Sequence, residues 1–115
     1  MPTRKLDKAE WRQFCDSVSK TLLGKRAEIE VDALALGGQI AAIWLPLLGI
    51  SYDPKDDIVE VALEGVDHLI AKPAELYVET SPTGITAIEV VDREGVRQIV
   101  RLRDPLMLPA PTSAG

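Results

Sequence analysis

The chain has 115 residues, 46% of them hydrophobic and 27% charged, with a formal net charge of -5. That balance belongs to one globular domain, at a length where roughly two thirds of the unfolded surface can be buried. The acidity argues against a nonspecific nucleic-acid binder, which needs a basic face to displace counterions, and gives no attraction to an anionic membrane surface.

Cys15 and His68 are the only cysteine and histidine. No intrachain disulfide or thiolate cage can therefore form, and a two-histidine metal site needs a second chain. No cofactor or metal is implied. The first five residues lack the apolar core of a secretion signal. The longest apolar run, Ile40 to Ile50, has 11 residues interrupted by Pro46 and Gly49, against the roughly 20 a membrane span takes. A cytoplasmic protein with no membrane partner is expected.

In chain order, Asp7 and Glu10 have the spacing of a capping box, and Leu6 and Trp11 that of a hydrophobic staple. Trp11, Phe14, Cys15, Val18 and Leu22 draw one apolar stripe at steps of three and four, and Gly24 supplies a stop, so a helix is predicted over residues 8–23. From Arg26 the period changes to two: Ala27, Ile29, Val31 and Ala33 alternate with Glu28, Glu30 and Asp32, which predicts a half-buried strand. Gly37-Gly38 reads as a turn. Gln39 to Leu48 reads as a central strand whose continuous apolarity implies cover on both faces. Tyr52 to Asp57 is a polar turn with Pro54 presetting one dihedral.

Ile58 to Glu64 alternates again and ends at Gly65. Val66 to Ile70 fits a helical turn or a short strand equally well. Ala74 to Thr80 is a strand, followed by a turn at Ser81 to Gly84. Ile85 to Val91 and Val96 to Arg103 form a hairpin about Asp92 to Gly95. These elements predict an α+β domain over residues 6–104: one N-terminal helix packed on a curled antiparallel sheet, or partial barrel, of about six strands. Residues 105–115 form a proline-rich tail expected to be loose.

The opening LDKAEW, the aromatic Phe14, the segments WLPLLGISYDPKDD and VDHLIAKP, and the paired closing strands resemble a bacterial family of small uncharacterised proteins, a domain of unknown function. The resemblance runs from about Leu6 to Leu102. It implies a single small domain and supplies no activity, substrate or catalytic residue.

Four groups stand out as candidate sites. Asp53, Asp56 and Asp57 with Tyr52 could hold a hard cation, but their spacing is not that of a calcium loop and no glycine falls inside. The alternative is a capped turn with solvated acids. His68 beside Asp67 could act as a general base, or it could simply bond a backbone carbonyl and fix the corner from Gly65 to Pro73. No GxSxG elbow supplies a nucleophile, no phosphate-binding glycine loop occurs, and Cys15 falls on the packing stripe, as a core residue would.

Arg97, Arg101 and Arg103 share one strand face and form a basic strip for an anionic ligand or acidic partner, or pair across strands with Glu89 and other acids. Trp44, Leu45, Leu47 and Ile50 are core, or an interaction row if their strand lies at a sheet edge. The preferred reading is a noncatalytic interaction or accessory domain, with a homodimer as candidate assembly. An anionic-ligand module on the arginine face is the alternative, and an enzyme using His68 the second alternative.

Overall fold

A computed structural model describes residues 3–22, 24–33, 37–82 and 84–103. Strand β1 (Thr3–Lys5) leads through a 3-10 turn (Lys8–Glu10) into helix α1 (Trp11–Thr21). Seven strands follow: β2 (Arg26–Ala33), β3 (Gly37–Asp53), β4 (Ile58–Leu63), β5 (Val66–Ala71), β6 (Pro73–Ser81), β7 (Gly84–Asp92) and β8 (Arg97–Arg103). They form one sheet in the order β1-β6-β7-β8-β2-β3-β4-β5, antiparallel at every step.

The α+β class and the single helix agree with the sequence pattern, but the strand count is eight among the described residues, not six. The two additions are β1, only three residues long, and the ambiguous segment from Val66, which is a strand. The segment expected as a loose tail, residues 105–115, lies outside the described residues, as does the β2–β3 connection at 34–36. Gly37 and Gly38, read as a turn, are instead strand residues opposite Ala33 and Asp32.

The helix begins as its sequence dictates. The capping box forms, with Asp7 N–H donating to Glu10 Oε1 at 3.2 Å. Leu6 and Trp11 are both buried, and Trp11 Nε1 donates to the Leu6 carbonyl at 3.2 Å. The first turn is 3-10, so the α-helix proper is shorter than the predicted span. Gly24, at φ +92°, supplies the left-handed residue after it. Trp11, Cys15, Val18 and Leu22 join Ala27, Ile29, Leu47, Ile50, Val59, Val61, Ile70, Leu76, Val90 and Val100 in one core. The Trp11 ring meets Tyr52 edge-on, with centroids 5.2 Å apart.

The sheet is rolled but not closed. β5 lies at one edge and β6 next to the other, yet a single residue, Lys72, joins them in the chain. Lys72 makes the sharp corner at φ +52°. Its N–H donates to the Asp57 carbonyl (2.9 Å), and its own carbonyl accepts from Arg93 N–H (3.0 Å). The β3–β4 turn, the β5–β6 corner and the β7–β8 turn therefore meet at one point.

Strand β3 has two halves with different neighbours. From Leu47 to Asp53 it pairs with β4, while from Gly37 to Pro46 it pairs with β2. Where β2 has ended, the helix takes over: the Ser19 hydroxyl donates to the Ile50 carbonyl (2.6 Å) and accepts from Ile50 N–H (2.8 Å). One side chain thus stands in for a missing strand. On the opposite side, residues 37–46 have no strand neighbour among the described residues. The expected cover on both faces of this stretch is accordingly wrong. Ile40, Ile43 and Leu48 are 48%, 61% and 55% exposed.

Candidate functional site

Among the described residues, the outer face of the sheet carries a groove of about 500 Å³. Strand register explains its make-up. Thr3, Glu79, Ala87, Arg101 and Glu28 are successive cross-strand partners from β1 to β2. A second such row runs Lys5, Tyr77, Glu89, Ile99, Glu30 and Ile40, from β1 to β3. Alternation along each strand puts these side chains on the face opposite the core. Ala87 is the short residue among long ones, and the groove opens above it and Ile99. Trp44 comes over from β3, where irregular pairing with β2 and a φ of +50° turn it outward to line the groove.

All three arginines of the predicted strip are engaged. Arg97 Nε lies 3.0 Å from Glu89 Oε2. Arg101 Nη1 donates to Glu30 Oε1 (2.7 Å) and Glu28 Oε1 (3.2 Å), and the Glu30 bond above all holds its guanidinium more firmly protonated than usual. Arg103 stacks on the Trp44 ring at 4.1 Å. The cross-strand alternative weighed from sequence is therefore realised for Arg97 and Arg101. Tyr77 donates its hydroxyl to Glu75 Oε1 (2.9 Å), a bond that raises the phenol's pKa and lowers the carboxyl's. Glu79 accepts from the Thr86 hydroxyl at 3.3 Å and joins no ion pair among the described residues.

His68 sits on β5 with Val66 and Ile70, pointing inward. Its Nε2 hydrogen-bonds the Gln98 side-chain oxygen on β8, across the rolled sheet. Gln98 is the buried polar residue in that interior. The expected partner was a backbone carbonyl near Gly65 to Pro73, and the structure replaces it with this amide. Asp67 points to the other face, as adjacent strand residues must, and does not orient His68. It lies beside Glu60 on β4 instead, and the closeness of the two carboxyls pushes the Glu60 pKa up. The catalytic arrangement is thus not assembled: His68 bonds an amide, and the Cys15 thiol is buried and pushed up to about 12, chiefly by that burial.

The acidic turn is a structural knot. Asp53 Oδ1 accepts from the backbone N–H of Lys55 (2.9 Å) and Asp56 (3.4 Å), which shapes the turn. Asp57, at φ +57°, accepts the Tyr52 hydroxyl (2.8 Å) and pairs with Lys8 (3.4 Å) and Arg93 (3.1 Å). The Tyr52 bond first, then the two cations, hold its carboxyl below the ordinary range. Among the described residues no group of three or more His, Cys, Asp or Glu side chains is placed to hold a metal ion. No helix there is long and apolar enough to cross a membrane.

Of the predicted interaction row, Leu47 and Ile50 are core residues, because β3 is interior to the sheet where β4 flanks it. Leu45 is half-buried against that core, and Trp44 faces outward. The sequence reading missed Ile40 and Ile43 as the exposed members, and Tyr77, Glu79, Thr86 and Ala87 as groove residues. The alternation of β6, with Tyr77 and Glu79 out of phase with Leu76 and Val78, was the available signal.

Comparison with known proteins adds relatives but no activity. The model of a family described as "Family of unknown function (DUF5335)" matches residues 2–111. An uncharacterized protein from Aquifex aeolicus (strain VF5) is 44% identical over 110 residues, covering 95% of this chain and 99% of that protein. No solved structure matches.

Proposed function

Because this chain belongs to DUF5335, a family of unknown function, we propose from its surface alone that it is a noncatalytic interaction domain that pairs with a second copy through the half of β3 that β4 does not flank. One observation carries this reading. Over residues 37–46 the strand has β2 as its strand partner and no second one, among the described residues, and turns Ile40 and Ile43 to solvent. Those ten positions hold no charged residue. Edge strands ordinarily carry lysine, proline or a protective twist against association. Proline here waits until position 46.

A second copy suits the edge. Each copy carries a net charge of -5, so like-charge repulsion opposes most approaches, while an uncharged strand can meet its own twin antiparallel across a two-fold axis. The single cysteine fits a reducing, cytoplasmic setting in which an adaptor of this kind would work.

Light scattering coupled to size exclusion tests the proposal. The parent is expected to run as a dimer and Ile43→Lys as a monomer with an unchanged circular dichroism spectrum. A monomeric parent, or a dimer indifferent to Ile43→Lys, would overturn it.

A further inference from the structure

We propose that the outer-face groove is a binding site for a small organic cation, an amine or guanidinium carried on an apolar body. Its volume, about 500 Å³, falls within the range of small-molecule sites, roughly 300 to 1,000 Å³. Ala87 and Ile99 give an apolar floor, and Tyr77 supplies aromatic surface of the kind that attracts cations, while Trp44, already stacked on Arg103, forms a wall.

Charge decides the sign of the ligand. An anion arriving at Arg101 would have to compete with Glu28 and Glu30, which already hold Nη1. Glu89 is likewise neutralised by Arg97. Among the described residues, Glu79 is the groove carboxylate that joins no ion pair, with the Thr86 hydroxyl turned to it. A charged hydrogen bond from an ammonium or guanidinium to Glu79 completes that pairing. The face that a run of arginines marks as anion-binding in sequence is thereby a cation site in the fold. The Glu79→Gln test is separate from β3 pairing, since Glu79 lies on β6, although Trp44 of the groove wall belongs to β3.

Phenethylamine is a suitable probe, with phenylacetate and 2-phenylethanol as its anionic and neutral counterparts, followed by backbone and side-chain chemical shifts. The amine is expected to shift Tyr77, Ala87 and Ile99 resonances, while the other two bind at least about tenfold more weakly. Glu79→Gln retains an oxygen to accept from Thr86 and is expected to fold. It should weaken amine binding about tenfold, the scale of one lost charged hydrogen bond. Tighter binding of phenylacetate, equal binding of amine and alcohol, no binding of the amine, or a folded Glu79→Gln variant that binds it as well as the parent would each overturn the assignment.

Discussion

Ser19→Ala tests whether a helix side chain replaces the missing strand beside β3. The Ser19 hydroxyl makes two bonds to one residue, 2.6 Å to the Ile50 carbonyl and 2.8 Å from its N–H. At about 1 kcal/mol net for each intramolecular hydrogen bond, the loss is about 2 kcal/mol. Alanine returns up to about 0.5 kcal/mol of helix propensity, leaving about 1.5 kcal/mol of destabilisation. For a domain of this length that is a fall in Tm of about 6 °C.

Ser17→Ala is the control. Ser17 is exposed on the same helix, and its variant reports the propensity gain alone. Urea denaturation followed by circular dichroism gives both free energies. The two variants should differ by about 2 kcal/mol, and agreement within about 0.5 kcal/mol, the usual spread of surface substitutions, would refute the reasoning. It would mean that water serves Ile50 as well as Ser19 does.

Two further outcomes follow from the buried thiol and the acidic knot. Cys15, buried and with its pKa pushed to about 12, should resist an aromatic disulfide reagent at pH 8 and react once denaturant is added; rapid labelling of the folded protein would contradict its placement in the core. Asp57 is held below its ordinary pKa by Tyr52, Lys8 and Arg93, so its stabilising effect is present above an unfolded value of about 3.9 and is lost as pH falls through the folded one. Asp57→Asn should therefore be less stable than the parent at neutral pH, with the gap closing in acid. A pH-independent gap would show that the ionised carboxylate is not what matters.

Much of the local structure is written in the residues themselves. The Leu6–Trp11 staple, the Asp7–Glu10 box and the stop at Gly24 specify the helix, because each acts within a few positions of chain. The β7–β8 hairpin follows from Gly95 at φ +83° and from Asp92, whose Oδ1 accepts the N–H groups of Glu94 and Val96. Period-two alternation likewise separates core from surface along β2, β4 and β8. The acidic segment ending at Asp57 reads locally as a turn, but only the rolled sheet brings Lys8 and Arg93 to it.

What pattern cannot convey is which strand lies beside which. Hydrophobicity along β3 is continuous, yet Leu47 is core and Ile43 solvent, because β4 flanks one half of the strand and leaves the other uncovered. Irregular pairing with β2 then turns Ile43 and Trp44 outward, an offset set by two strands together and so invisible in either. The three arginines show the same divide. Their shared face follows from alternation alone. The glutamates that absorb two of them depend on an order in which β8 lies between β2 and β7. Side-chain period is a property of one strand, whereas charge balance and exposure belong to neighbours distant in sequence, and only the folded sheet chooses those.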